Sequence, residues 1–327
     1  MNPFVETRIH ALLEGSRLLA AYVKAGSDLH AEIEEMRESI AVLATTDTGG
    51  SNDLPDGKIS ASIALEIAES TRADIEALAT VSSIQDVPID EPLIARATHT
   101  LDRVAQEVGF DVRSEIATRL RGVYIIVDPE ATRGRPVTEV AAQSLDGGAS
   151  VVQLRDKISD KGPMLEMARE LKSLCDSHQA LFVMNDHADL AHAAGADILH
   201  VGQTDLPVAA ARKILSSRQL IGNSNGSMDE ALRSQEDSVD YIAVGAIYST
   251  ITMGKSGRNA LGPEMISNVK NAVRQPIVAI GGINSSNILD VVRAGADSVC
   301  VVSAVTFADD PKTATEELVH LYESAAS

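Results

Sequence analysis

The chain has 327 residues, 44% of them hydrophobic, which suffices for one large or two medium-sized folded domains. Aromatic residues make up only 3% and there is no tryptophan, so we expect an aliphatic core. A formal net charge of −19 argues against nonspecific binding to nucleic acid and against docking on anionic lipid.

Cysteine usage and the N-terminus indicate the compartment. Cys175 and Cys300 are too few for a disulfide framework, and each falls in an apolar or helical pattern, so we expect buried free thiols. The N-terminus lacks the basic and apolar regions of a signal peptide, and no apolar run is long enough to span a bilayer. The sequence therefore predicts a cytoplasmic protein without a membrane partner.

The first part of the chain, residues 1–118, is predicted to be helical. Apolar residues recur at helical spacing, as in Ile9, Leu12, Leu19 and Val23. The Gly- and Asp-rich run 46–57 has the composition of a loop, and the pattern pauses again before Ile94. We recognise no catalytic constellation here, so the role of this domain is left open.

From Gly122 onward, short β-branched runs alternate with amphipathic helical stretches, which is typical of βα units and a parallel sheet. The predicted strands are 123–127, 150–154, 181–184, 198–201, 220–223, 241–244, 277–280 and 298–302. Eight such units favour a (β/α)8 TIM barrel over residues 119–327, preceded by an all-α N-terminal domain. An open doubly wound sheet is the alternative.

The run V-V-Q-L-R-D-K ends the second predicted strand with two cations. Because side chains alternate along a strand, Gln153, Arg155 and Lys157 should project to the same side. Arg offers a fork of donors and Lys a point charge, which together suit a phosphate or pyrophosphate. A solvated strand end is the alternative interpretation.

Two aspartates follow the next two strands at equivalent positions. Asp186 ends M-N-D and Asp205 ends V-G-Q-T-D, so both should face the mouth of the barrel where active sites lie. Two carboxylates beside Arg155 and Lys157 would suit a Mg2+ ion that bridges to pyrophosphate. The alternative is that each aspartate caps the following helix.

The later strands predict further anion contacts. Ser224, after strand five, can donate to an oxyanion, and the polar, Gly-containing segment 248–262 has the character of a mobile lid. Gly281 and Gly282 after strand seven, with Val302 and Ser303 after strand eight, occupy the usual phosphate site of such barrels. Two anion sites in one barrel suggest group transfer from a pyrophosphate ester to a phosphorylated acceptor.

These residues, over 122–325, resemble thiamine-phosphate synthases. The segments that carry the resemblance are G-V-Y-I-I-V-D, G-G-A-S-V-V-Q-L-R-D-K, F-V-M-N-D, L-H-V-G-Q-T-D-L, Y-I-A-V-G-A-I-Y-S-T, P-I-V-A-I-G-G-I and A-G-A-D-S-V-C-V-V-S-A. Enzymes of that family join hydroxymethylpyrimidine diphosphate to thiazole phosphate and release pyrophosphate. Their chemistry is dissociative, with pyrophosphate leaving before the thiazole nitrogen attacks.

The resemblance implies a role for each matching residue. Asp186 and Asp205 would bind Mg2+ as the cofactor, and the catalytic cations and donor would be Arg155, Lys157, Ser224 and Lys255. Substrate would be held at Tyr124, Gln153 and His200 (aminopyrimidine), at Asn185, Thr250 and Thr252 (diphosphate), and at Gly282, Val302 and Ser303 (thiazole phosphate). The implied partners are small phosphorylated molecules, and a homo-oligomer stays open.

The chain departs from the family pattern at three places. The family lid has Lys directly after T-x-T, where this chain has Met253; we expect Lys255 to substitute, with Arg258 as the alternative. After strand five, N-S-N-G keeps Ser224 but lacks the family's His. The N-terminal run L-E-G-S-R-L-L-A-A-Y resembles the R-E-G-L-R-V-x-E-x-Y pattern of a helical domain fused to some family members. A thiazole tautomerase-like barrel and a non-catalytic thiamine-precursor sensor are the alternative functions.

Overall fold

The computed structural model describes residues 3–44, 59–85, 90–250 and 260–326. The chain divides into two units, residues 1–112 and 113–327. The long helix Glu91–Ala117 contains the division, so the boundary lies inside a helix. The predicted boundary, after residue 118, lies just beyond the end of this helix.

The first unit consists of helices, as predicted. Their bounds are α1 Pro3–Tyr22, α2 Asp28–Ala41, α3 Ala61–Gln85 and α4 Glu91–Ala117, the last turn of which belongs to the second unit. Ser27 caps α2 by accepting a hydrogen bond from the His30 N–H at 3.1 Å. The apolar stripes meet in a core that includes the fully buried Leu12, Leu19 and Leu65.

The second unit is a closed barrel of eight parallel strands, in which each strand pairs with its neighbours in chain order. The strands are β1 Gly122–Val127, β2 Val151–Leu154, β3 Leu181–Asn185, β4 Ile198–Val201, β5 Leu220–Asn225, β6 Tyr241–Gly245, β7 Ile277–Ile280 and β8 Ser298–Val301. The predicted (β/α)8 barrel is confirmed, and the open doubly wound sheet is wrong because β1 also pairs with β8.

Helices connect the strands and cover the outside of the barrel. Their bounds are α5 Val137–Asp146, α6 Lys161–Ser177, α7 Ala188–Ala193, α8 Val208–Ala211, α9 Met228–Glu236, α10 Pro263–Ala272, α11 Ile288–Arg293, α12 Ser303–Thr306 and α13 Pro311–Ala326. No described helix is both long and apolar enough to cross a membrane. Cys175 and Cys300 are buried thiols outside any disulfide, as predicted.

Strand alternation produces two apolar layers. In β1, Val123 and Ile125 belong to the core between strands and helices, whereas Tyr124 and Ile126 belong to the core inside the barrel. Leu120, which precedes β1, joins the inner cluster and is completely buried. The inner core fills the barrel, so a ligand has room only beyond the carboxyl ends of the strands.

Candidate active site

A cavity of about 1360 Å³ lies at the carboxyl ends of the strands. It brings together most of the residues that the sequence predicts for the site, namely Gln153, Arg155, Lys157, Asn185, Asp186, His200, Asp205, Ser224, Thr250, Gly282, Val302 and Ser303. Thr252 and Lys255, like Met253 and Arg258, lie outside the described residues. Both predicted anion sites therefore open into the same cavity.

Arg155 is held by the carboxylate of Asp128, the residue that directly follows β1. Its guanidinium pairs with Asp128, whose side chain is 2% exposed, against 22% for Arg155. The other Asp128 oxygen accepts a hydrogen bond from the Glu130 N–H at 2.9 Å. Asp128 is thus fixed by backbone as well as by charge, and it orients the guanidinium at the cavity wall.

Asp186 and Asp205 lie close together, with Lys157 beside them. The Lys157 ammonium pairs with Asp186, and Asp205 accepts a hydrogen bond from the Gly202 N–H at 2.7 Å. Asp186 has a left-handed backbone conformation, with φ 63°, and its N–H donates to the His200 carbonyl at 2.8 Å. The turn after β3 is therefore tied directly to β4.

The two carboxyl groups perturb each other. Burial raises the pKa of Asp186, the Lys157 ammonium opposes that rise, and the neighbouring Asp205 adds to it. Burial acts on Asp205 in the same direction, but hydrogen bonds from Asp186 and from the Gly202 N–H outweigh it and lower the pKa of Asp205. The pair therefore favours a shared proton or a bound cation.

This donor set fits Mg2+. Within the described residues, no group of three or more His, Cys, Asp or Glu side chains could hold a metal ion. Two carboxylates leave the other coordination positions to water and to phosphate oxygens, which is the arrangement Mg2+ commonly adopts. The helix-capping alternative is wrong, because His187 and Pro207 precede α7 and α8 and neither Asp186 nor Asp205 caps them.

The floor of the cavity contains Gln153, His200 and Ser224. Tyr124 lies below this floor: it is 1% exposed, and its hydroxyl accepts a hydrogen bond from Gln153 Nε2 at 2.7 Å. In this structure Tyr124 thus acts on Gln153, and its predicted contact with an aminopyrimidine stays a prediction.

The strand that carries Ser224 is braced by amide side chains that our predicted site omitted. Gln203 Nε2 donates to Asn223 Oδ1 at 2.6 Å and to the Ser224 carbonyl at 2.8 Å. Ser234 donates to Asn225 Oδ1 at 2.7 Å. The N-S-N run in the sequence could have indicated these supporting residues, because strand alternation places Asn223 and Asn225 on the face opposite Ser224.

The second predicted anion site is formed where β7 and β8 end. Gly282 has φ 66°, and a Cβ atom there would lie 2.8 Å from the Ser249 carbonyl oxygen. The turn needs glycine both for its conformation and for this close approach. Val302 precedes helix α12, so it and Ser303 bring backbone into the same cavity.

Fold and cavity together define a (β/α)8 barrel with a cavity at the carboxyl ends of its strands, into which the cations Arg155 and Lys157 project. The family model described as thiamine monophosphate synthase matches residues 123–305. The chain belongs to the thiamine monophosphate synthase family, and it is accordingly a transferase.

Individual relatives support the same family assignment. A thiamine-phosphate synthase from Methanospirillum hungatei is 41% identical over 200 residues, which cover 61% of this chain and 97% of that protein. One from Thermobifida fusca is 42% identical over 207 residues, covering 63% and 94%. The solved thiamine phosphate pyrophosphorylase from Pyrococcus furiosus aligns with a TM-score of 0.60 and 32% identity, covering 65% of this chain and all of that one (100%).

Proposed function

We propose that this protein condenses 4-amino-2-methyl-5-hydroxymethylpyrimidine diphosphate with thiazole phosphate, giving thiamine monophosphate and pyrophosphate in a Mg2+-dependent reaction. The observation that carries the proposal is a single cavity that is lined both by the acid pair with its cations and by the Gly282 turn. Family membership supports this choice of substrates, since the relatives are named thiamine-phosphate synthases.

The proposed chemistry needs a stabilised leaving group. The bond between the pyrimidine methylene carbon and the diphosphate oxygen breaks, and its electron pair leaves with the diphosphate. Arg155 and Lys157 would neutralise the developing charge, and Ser224 would donate a hydrogen bond to it. Mg2+, held by Asp186 and Asp205, would supply further charge neutralisation at the diphosphate oxygens.

The second step needs orientation rather than a base. The thiazole nitrogen already carries a lone pair, so it can form the new C–N bond without losing a proton. Gly282, Val302 and Ser303 would hold the thiazole phosphate, while Gln153, His200 and Tyr124 position the aminopyrimidine. Asn185, Thr250, Thr252 and Lys255 would complete the diphosphate site. Holding both reactants in one cavity supplies the favourable entropy of a unimolecular step.

A direct test is to incubate the full-length chain with both substrates and Mg2+ and to quantify both products. We expect equimolar thiamine monophosphate and pyrophosphate, with activity lost in EDTA and in Asp186→Ala. Glu166→Gln, on the exposed face of α6, is the control that keeps activity. A folded protein that binds the diphosphate without turnover would be a precursor sensor, and one that isomerises thiazole phosphate regardless of Asp186 would be a tautomerase.

A further inference from the structure

A line of hydrogen bonds joins side chains of β1, β2, β4, β5 and β6, some in the cavity floor and some below it. Gln153 Nε2 lies 2.7 Å from the Tyr124 hydroxyl, which lies 3.4 Å from that of Tyr241. The Tyr241 hydroxyl lies 2.6 Å from His200 Nδ1, and His200 Nε2 lies 2.8 Å from Ser224 Oγ. Every intervening group is thus within hydrogen-bonding distance of two others.

Gly222 makes this line possible. In the strand register, Gly222 lies between His200 on β4 and Tyr241 on β6. A Cβ atom on Gly222 would lie 1.9 Å from a ring carbon of Tyr241. The missing side chain therefore leaves the space through which the fully buried Tyr241 ring crosses β5 to reach the imidazole, with ring centroids 5.8 Å apart.

The chemistry of the groups gives the line a direction. The Gln153 amide can only donate through Nε2, so the Tyr124 hydroxyl accepts there and can donate its own hydrogen bond to the Tyr241 hydroxyl. Tyr241 can then donate to His200 Nδ1, an arrangement that requires the imidazole proton to be on Nε2. Burial raises the pKa of both tyrosines, which keeps each hydroxyl protonated as a donor.

We propose that Tyr241 is a positioning residue, which reaches through the gap at Gly222 and donates to His200 Nδ1, so that the ring proton of His200 is on Nε2. His200 then donates to Ser224 Oγ, so the Ser224 hydroxyl directs its own proton into the cavity. The further step, in which this hydroxyl donates to the departing diphosphate, rests on the function proposed above. The tautomer of His200 can be tested independently of that function.

The test is 15N NMR of the histidine rings in the full-length protein at about pH 8, above the ordinary imidazole pKa of about 6.5. The His200 signals are assigned by their loss in His200→Asn. In the wild type we expect protonated Nε2 and unprotonated Nδ1. A spectrum with the proton on Nδ1 overturns the proposal, and this measurement needs no folded Tyr241 variant.

Tyr241→Phe removes only the hydroxyl. We expect the His200 tautomer to redistribute towards Nδ1–H and kcat to fall about tenfold, with the KM for thiazole phosphate unchanged. The control is Tyr322→Phe, which removes a hydroxyl that donates to the Asp297 carbonyl at 2.6 Å on the outside of the barrel. It should leave both readouts at wild-type values.

The two readouts separate the two hypotheses. A tautomer that shifts in Tyr241→Phe, in a protein that makes no thiamine monophosphate, supports the positioning role and contradicts the proposed function. An active enzyme whose His200 spectrum is the same with and without the Tyr241 hydroxyl contradicts the positioning role and leaves the function intact.

Discussion

Replacing Asp128 by Asn should weaken catalysis through Arg155, a residue that it touches directly. Asp128 is almost completely buried, and it carries the charge that pairs with the Arg155 guanidinium. Asparagine keeps the shape and can still accept from the Glu130 N–H, so the substitution removes mainly the charge. Arg155 would then sample other orientations and meet the diphosphate less often in the productive one.

The structure sets the size of the effect. A hydrogen bond to a charged group contributes about 1.5–3 kcal/mol net. Because 22% of the Arg155 side chain is exposed, water can partly replace the lost carboxylate, and the lower half of that range applies. A loss of about 1.5–2 kcal/mol corresponds to a fall of roughly 10- to 30-fold in kcat/KM for the diphosphate substrate.

The assay is steady-state release of pyrophosphate, with thermal unfolding measured in parallel. Glu166→Gln is the matched control, because it removes the carboxylate from another Arg–carboxylate pair, that of Arg169, whose two side chains are 54% and 74% exposed. Exposed pairs contribute little, so it should change neither quantity. If folded Asp128→Asn retains wild-type kcat/KM, Asp128 does not set the orientation of Arg155.

Three further changes test other parts of the structure. Gly282→Ala should raise the KM for thiazole phosphate about tenfold or more, because the turn must move to accommodate a Cβ atom. The KM for the diphosphate substrate should stay nearly unchanged, and equal changes in both KM values would contradict this prediction. Asp240→Asn should lower the free energy of unfolding by about 1.5–3 kcal/mol in denaturant titrations, because it removes the buried carboxylate that two partly buried arginines share. A loss under about 1 kcal/mol would refute that. For His178, the Leu174 carbonyl and then Asp146 raise the pKa, so its stabilising contribution is complete below about pH 6.5 and disappears as pH rises through the folded-state pKa. NMR titration should show that pKa falling in Asp146→Asn, and an unchanged value would exclude the ion pair as a cause.

Much of the barrel could be predicted because its strands are continuous aliphatic runs bounded by Gly turns. The predicted and observed bounds agree for Ile198–Val201 and Ile277–Ile280. The fifth strand is longer than predicted, reaching Asn225, since polar residues continue it. Hydropathy could not show this, because Asn225 is stabilised in the strand by a hydrogen bond with Ser234 on the following helix.

The site residues that lie at strand ends could be predicted, whereas their supporting residues could not. Asp186 and Asp205 follow adjacent strands, so the fold alone brings them together. Tyr241 begins its strand and has the pattern of an ordinary core residue. Only the register that aligns it with Gly222 and His200 reveals its partner. Asp128 likewise meets Arg155 only because β1 and β2 are neighbours in the barrel.

The central claim, a divalent ion and a diphosphate held together at the barrel mouth, can be tested directly by crystallography. Crystals of the full-length protein grown with Mn2+ in place of Mg2+ and with inorganic diphosphate should show one anomalous peak in coordination distance of both Asp186 and Asp205. The diphosphate should contact that ion and Arg155. Diphosphate bound with no metal between the aspartates, or a metal bound elsewhere, would contradict the account.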